Sequence, residues 1–295
     1  MNDSFAELEF HETVDFYPEK PTVFNNRYVL GKEVNTGGLC AVYDVVDLYS
    51  AYFDPKKNLV IKIPLEPLMQ KKDVTAFVYA EYSILSKLCH KNIVRVVDFG
   101  IDEESKIPYI VMHKLEGSLL SNTTLTHLSV KNMNRLVVSL VKVIFDLHSL
   151  QIVHADINPT NIMISKNLSI TLFDFGIANV AKSEKDVCLD YTRHLAYNPH
   201  YAAPEIFLGV SPSIKTDVFS LACVIYEIYT GQLPFAKKTI TSHKQQLHRR
   251  DFQDIPFFLR TWLRNALQSD PSLRPHKMPL LIQIKSFFNI FSKKY

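Results

Sequence analysis

Two charged residues stand where apolar ones belong, and they constrain this chain more than any other feature of its sequence. In the run Leu59-Val60-Ile61-Lys62-Ile63, β-branched residues predict a strand, and Lys62 is enclosed by aliphatics. Downstream, Phe77, Ala80, Ile84, Leu85 and Leu88 form the inward stripe of a helix over 74–89, and Glu81 lies in the middle of that stripe. A lone buried ammonium or carboxylate costs several kcal/mol, so two such misfits so close in sequence point to a mutual ion pair. The alternative is that each side chain snorkels separately to solvent.

The surrounding pattern is that of a globular protein. At 295 residues and 47% hydrophobic content the chain can bury a large core. Its net charge of +3 gives no overall pull toward nucleic acid or a membrane surface, so neither is expected as a partner. The four cysteines, Cys40, Cys89, Cys188 and Cys223, form no C-x-x-C pair, which favours reduced thiols and a cytoplasmic location. No apolar run approaches the roughly 20 residues of a membrane span. Residues 1–27 read as an acidic, aromatic N-terminal extension. Short β-like runs follow at 28–30, 41–46, 59–63, 93–98 and 109–112, and helical periods dominate after Leu119. Leu136, Leu140, Val143, Ile144 and Leu147 share one helix face, whereas Val218 to Tyr226 is apolar nearly all round, as in a buried helix.

A second cluster adds chemistry to the charge pair. His154-Ala155-Asp156-Ile157-Asn158-Pro159-Thr160-Asn161 follows a helix, and Asp174-Phe175-Gly176 follows the apolar run Ile170 to Phe173. Two acids and an amide at the ends of elements can hold a hard cation through oxygen ligands, although Asp and Asn are also common turn formers.

Taken together and in this order, these residues resemble the protein kinase superfamily over about residues 28–290. The resemblance implies an α+β, bilobal fold over 28–293: a small β-rich N-lobe (about 28–112) with one key helix, a hinge (about 113–118), and a larger, mainly helical C-lobe (about 119–293). It implies an enzyme that moves the γ-phosphoryl group of ATP to protein hydroxyls with Mg2+, Mn2+ being the alternative ion. In this pattern Lys62 matches the lysine that contacts the nucleotide phosphates and Glu81 its helix partner. Asp156 matches the catalytic base, and Asn161 and Asp174 the metal ligands. Val34, Asn35, Gly37 and Gly38 match the loop over the phosphates. Met112, His113 and Leu115 match the hinge around adenine, which Val42, Val60 and Met163 are expected to sandwich. Ala203-Pro204-Glu205, Asp217 and Arg274 match its structural anchors, a set that small-molecule kinases lack, and His90-Lys91-Asn92 matches its H-x-N turn. The resemblance makes His154 a core residue in an apolar column with Phe175, Leu85 and Val96.

The departures from the family pattern are specific. Asn35 and Cys40 replace the first and third loop glycines, and Asn158 and Asn198 stand where serine/threonine kinases usually carry a lysine and a threonine. Serine/threonine specificity is the expectation; tyrosine or dual specificity, or a pseudokinase that serves as a binding module, are the alternatives. Ala155 replaces the arginine that pairs with a phosphate on the activation loop, so activity is expected without phosphorylation of Ser183, Tyr191, Thr192 or Tyr197.

Overall fold

A computed structural model describes residues 22–54, 58–120, 125, 128–180, 197–235 and 249–282. Six strands form the N-terminal sheet: β1 (Val23–Phe24), β2 (Tyr28–Thr36), β3 (Cys40–Asp47), β4 (Leu59–Pro64), β5 (Val96–Ile101) and β6 (Pro108–His113). They pair antiparallel in the order β1-β2-β3-β4-β6-β5. The sheet thus begins at Val23, within the stretch read from sequence as an extension. Helices α1 (Glu66–Met69) and α2 (Val74–Ser86) follow β4.

The period-two alternation of strand side chains decides which way Lys62 points. Leu59 and Ile61 of β4 pack with Tyr109 and Val111 of β6 in a small cluster on the outer face. Val60, Ile110 and Met112 pack on the other face into the main core, together with Phe77, Val78 and Leu85 of α2. Lys62 shares the parity of Val60 and therefore turns toward α2. On that helix Glu81 is buried beside Phe77, Val78, Ile84 and Leu85.

The expected strand over 93–98 begins only at Val96. Ile93 bridges Leu172 instead, and the Val94 N–H donates to the Leu172 carbonyl at 2.9 Å. Asn92 reinforces that junction by donating its Nδ2 to the Ile170 carbonyl at 2.6 Å. Residues 92–94 therefore tie the two lobes together rather than extend the upper sheet. Helix α2 likewise stops at Ser86, before the expected Cys89, and the His90 ring accepts the Asn92 N–H in the turn that follows.

The second lobe is built on α3 (Val130–Ser149), α4 (Ile214–Thr230) and α5 (Phe257–Ala266). The α3 face expected from periodicity is buried in full. Helix α4 is enclosed on nearly every side, and it starts at a reciprocal Ser213–Thr216 capping box and ends at Gly231 in a left-handed conformation. Short strands β7 (Ser118–Leu119), β8 (Ile152–Val153), β9 (Ile162–Ile164), β10 (Ile170–Leu172) and β11 (Asn179–Val180) form small sheets between the lobes. Gly117 before β7 has φ +138°, and a Cβ there would overlap the Ile164 carbonyl, so only glycine fits where the hinge crosses β9.

Candidate active site

Between the lobes lies a cavity of about 1050 Å³, and the elements around it deliver their functional side chains for identifiable reasons. Lys62 from β4 reaches both Glu81 carboxylate oxygens, at 2.9 and 2.8 Å, and Asp174 Oδ1 at 2.9 Å. The ion pair expected from sequence is present, and Asp174 joins it. Burial alone would lower the Lys62 pKa, but the two carboxylates outweigh it and hold the ammonium well above its usual value. Burial raises Asp174, but the charge and hydrogen bond of Lys62, with His154 and the Gly176 N–H, together outweigh it and hold the carboxyl below its ordinary range. Its side chain remains 46% exposed into the cavity, whereas that of Glu81 is only 3% exposed.

The loop after β8 is folded by one buried acid, Asp217 of α4. Its carboxylate accepts the His154 and Ala155 backbone N–H groups, both at 2.8 Å, and lies 2.9 Å from His148 Nε2. Ala155 sits at φ +69°, a conformation costly for a residue with a Cβ, and the Asp217 contact offsets that cost. The loop then turns Asp156 into the cavity. Asn161 donates its Nδ2 to Asp156 Oδ2 at 2.8 Å and to the Asp156 carbonyl at 3.0 Å. Burial pushes the Asp156 pKa upward, offset in part by His154.

His154 is fully buried, accepts the Asp156 N–H on Nδ1, lies 3.3 Å from the Phe173 carbonyl through Nε2, and packs 4.6 Å from the Phe175 ring. Both ring nitrogens are engaged away from the cavity, which matches a core role. Glu81 Oε1 also accepts the Phe175 N–H at 3.2 Å, so the upper helix fixes the backbone that carries Asp174.

Val34, Asn35, Gly37, Gly38, Val42, Val60, Lys62, Met112, His113, Leu115, Asp156, Asn161, Met163 and Asp174 all line this one cavity. Of the residues expected to act in catalysis or to hold nucleotide or metal, Glu81 alone does not, because it stands behind Lys62. Sequence reasoning missed Leu39, Lys71 and Ile177, which line it too. No periodicity or motif marks these three.

Comparison with known proteins agrees with this geometry. The protein kinase domain model matches residues 28–283. The chain belongs to the protein kinase family. Its relatives include a probable serine/threonine-protein kinase of Clostridium acetobutylicum, 26% identical over 86% of this chain and 38% of the relative. The serine/threonine-protein kinase PrkC of Bacillus subtilis is 31% identical over 74% and 32% of the two chains. The dual specificity protein kinase pyk3 of Dictyostelium discoideum is 27% identical over 99% and 21%. The chain thus spans well under half the length of these curated relatives.

Seen as a kinase domain, the departures acquire physical content. Asn158 is 1% exposed; its Oδ1 accepts from the Thr160 N–H and hydroxyl at 2.9 and 2.5 Å, and its Nδ2 donates to the Asp156 carbonyl. It lines the cavity but caps the short helical turn at Pro159–Asn161, so its side-chain hydrogen bonds are spent on the loop itself. Asn198 caps the His200 N–H at 3.2 Å. Cys40 lines the cavity, and burial raises its thiol to about 11, so it is protonated at neutral pH. At the far end of the segment, Arg274 grips Glu205 through two bonds of 2.6 and 2.8 Å. The expected acceptors Ser183, Tyr191 and Thr192, with Lys182, Lys185, Cys188 and Arg193, lie outside the described residues; Tyr197 lines the cavity. Among the described residues, no helix is long and apolar enough to cross a membrane.

Proposed function

We propose that this chain is an ATP- and Mg2+-dependent protein kinase acting on serine and threonine hydroxyls. The observation that carries the reading is the Lys62 bridge between Glu81 and Asp174 in the cavity that Asp156 and Asn161 also line. Lys62 is held charged where phosphate oxygens need a cation. Asp156, with a pKa raised by burial, accepts or orients the proton of the attacking hydroxyl. Adenine fits at Met112, His113 and Leu115 between Val42 and Val60 above and Met163 below. Val34, Asn35, Gly37 and Gly38 cover the phosphates, and a Cβ at Gly38 would meet nothing within 4 Å, which leaves its backbone open to approach.

The residues present fit a divalent cation. Asn161 commits its nitrogen to Asp156, which leaves its side-chain oxygen for a metal, and Asp174 offers an exposed carboxylate. Bound there, Mg2+ supplies charge stabilisation to the transferring phosphoryl group. Serine/threonine specificity is supported by the relatives from Clostridium acetobutylicum and Bacillus subtilis, both serine/threonine-protein kinases by name. Dual specificity is the second reading, favoured by Asn158 standing where serine/threonine kinases usually carry a lysine. The separated, free Cys40, Cys89 and Cys223 support a cytoplasmic setting.

Labelled ATP with Mg2+, followed by phosphoamino-acid analysis of autophosphorylated chain and lysate proteins, tests this. Transfer to serine or threonine that disappears in Asp156→Ala is expected; transfer that survives in that variant overturns the assignment. Ala155 supplies no charge for a loop phosphate, so replacing Ser183, Tyr191, Thr192 and Tyr197 with Ala, Phe, Val and Phe is expected to keep most activity. A large loss restored by a single acidic substitution contradicts that.

A further inference from the structure

The cations around the cavity are unequally committed. Three lysines line it: Lys62, Lys71 and Lys114. Lys62 is held by Glu81 and Asp174, and Lys114 lies 2.6 Å from Asp44 at the hinge end. Lys71 has an exposed side chain and no carboxylate within ion-pair distance among the described residues. Its backbone is nevertheless fixed. The Lys71 N–H donates to the Leu68 carbonyl at 3.0 Å, and its own carbonyl accepts the Val74 N–H that opens α2. Leu68 is fully buried, and the Leu65 N–H at the start of α1 donates to the Leu39 carbonyl at the tip of the glycine loop, at 2.8 Å. Lys71 is therefore a flexible cation on a rigid mount, tied both to the loop that covers the phosphates and to the helix that holds Glu81.

Charge balance says what it meets. Asp156 and Asp174 line this end of the cavity and Glu81 stands behind Lys62, three carboxylates against Lys62 and Lys71, and the neutral Asn158 adds no charge. A polyphosphate brought there needs positive charge, and among the described residues lining the cavity the uncommitted ammonium belongs to Lys71. We propose that Lys71 is a specificity-determining contact for the terminal phosphate of the nucleotide, one that favours a triphosphate over a diphosphate. This rests on the kinase reading above.

The test is calorimetric titration of the full chain with MgATP and MgADP in wild type, Lys71→Ala, Lys71→Arg and Lys72→Ala. Lys72 is an exposed neighbour that does not line the cavity. Lys71→Ala is expected to weaken ATP about tenfold with ADP changed less than about twofold, the loss of one charge-assisted contact. Lys71→Arg should retain the ATP preference, and Lys72→Ala should match wild type. Equal weakening of both nucleotides, or no change in either, overturns the proposal. So does a loss confined to the KM of peptides bearing acidic residues, which would make Lys71 a substrate contact. A wild type that binds neither nucleotide removes the kinase reading and this inference with it. Binding by wild type without an ATP-selective loss in Lys71→Ala removes this inference alone.

Discussion

Two of the carboxylate–cation pairs among the described residues, Glu205–Arg274 and Glu81–Lys62, differ in what surrounds them. Arg274 is fully buried and uses all five of its donors: two on Glu205, and one each on the carbonyls of Gln268, Lys215 and Ser269. Its guanidinium also lies 4.8 Å over the Phe219 ring. Lys62 likewise uses its three donors, but one goes to Asp174, whose side chain is 46% exposed to the cavity. The sealed pair has no other partner to take and can only hold the segment end at Glu205 against α4. The open pair can exchange one carboxylate contact for a ligand. The same chemistry is structural in one lobe and available for work in the other, and the difference is solvent access on one side.

The largest effect that tests this contrast is on stability. Arg274→Met leaves the Glu205 carboxylate buried without a counter-charge, held only by the Thr216 hydroxyl, at a cost of about 3–5 kcal/mol. Lys62→Met strands Glu81 beside an open cavity that water can enter, so its cost should be clearly smaller. Urea unfolding of the two variants decides the matter, and a Lys62→Met protein at least as destabilised as Arg274→Met would break the comparison.

Activity should rank them in the opposite order. Lys62→Met is expected to lower transfer by about 10²–10³-fold, the usual effect of removing one preorganised charge at a reacting group. Arg274→Met, measured per folded molecule at low temperature, should stay within about tenfold of wild type, because Arg274 does not line the cavity. Comparable losses in both would mean that the sealed pair also controls the site.

How much of this contrast was legible in the sequence depends on the range of the interaction. Lys62 and Glu81 were visible because strand and helix periodicity assign each residue a face, and both faces are apolar. The work of Asp217 was not visible from the residues alone, because it acts on backbone N–H groups of Ala155 and His154 more than sixty positions away. Family resemblance marked the position, but only the geometry shows that it offsets the left-handed Ala155. Ile93 was misplaced for a related reason. Its apolar run is compatible with either sheet, and a tertiary contact with Leu172 decides between them. Lys71 carried no local signal, since a solvated lysine and a cavity lysine have the same sequence neighbourhood.

A smaller effect concerns pH. Burial raises the Asp156 pKa, so its carboxylate takes up a proton at a higher pH than an ordinary aspartate. A base works deprotonated, and activity should therefore be full above that value and fall as pH drops through it. The acid limb of kcat is expected above the ordinary aspartate value of about 4. Asp217 belongs to the sealed region, and Asp217→Asn should lower kcat by loosening the loop without moving that limb. A limb that shifts in Asp217→Asn and stands at the ordinary value in wild type would dissociate it from Asp156.

The smallest effect reads the open pair directly through Cys40. Burial and the Glu81 and Asp174 carboxylates raise the thiol, while Lys62 lowers it; the balance is about 11. At neutral pH Cys40 is accordingly almost wholly protonated and should react slowly with iodoacetamide, since the thiolate is the nucleophile. Exposed Cys89 serves as the fast reference, and Cys223, fully buried inside α4, as the silent one. Glu81→Gln removes one of the opposing charges and leaves Lys62 a stronger positive influence on the sulfur. Alkylation of Cys40 should accelerate severalfold in that variant, relative to Cys89 in the same molecule. Glu205→Gln, which removes the carboxylate of the sealed pair, should leave the ratio unchanged wherever the variant remains folded. Acceleration in both, or in neither, would show that Cys40 senses general loosening rather than the charge on Lys62. The open pair would then lack the local electrostatic independence that separates it from its counterpart in the other lobe.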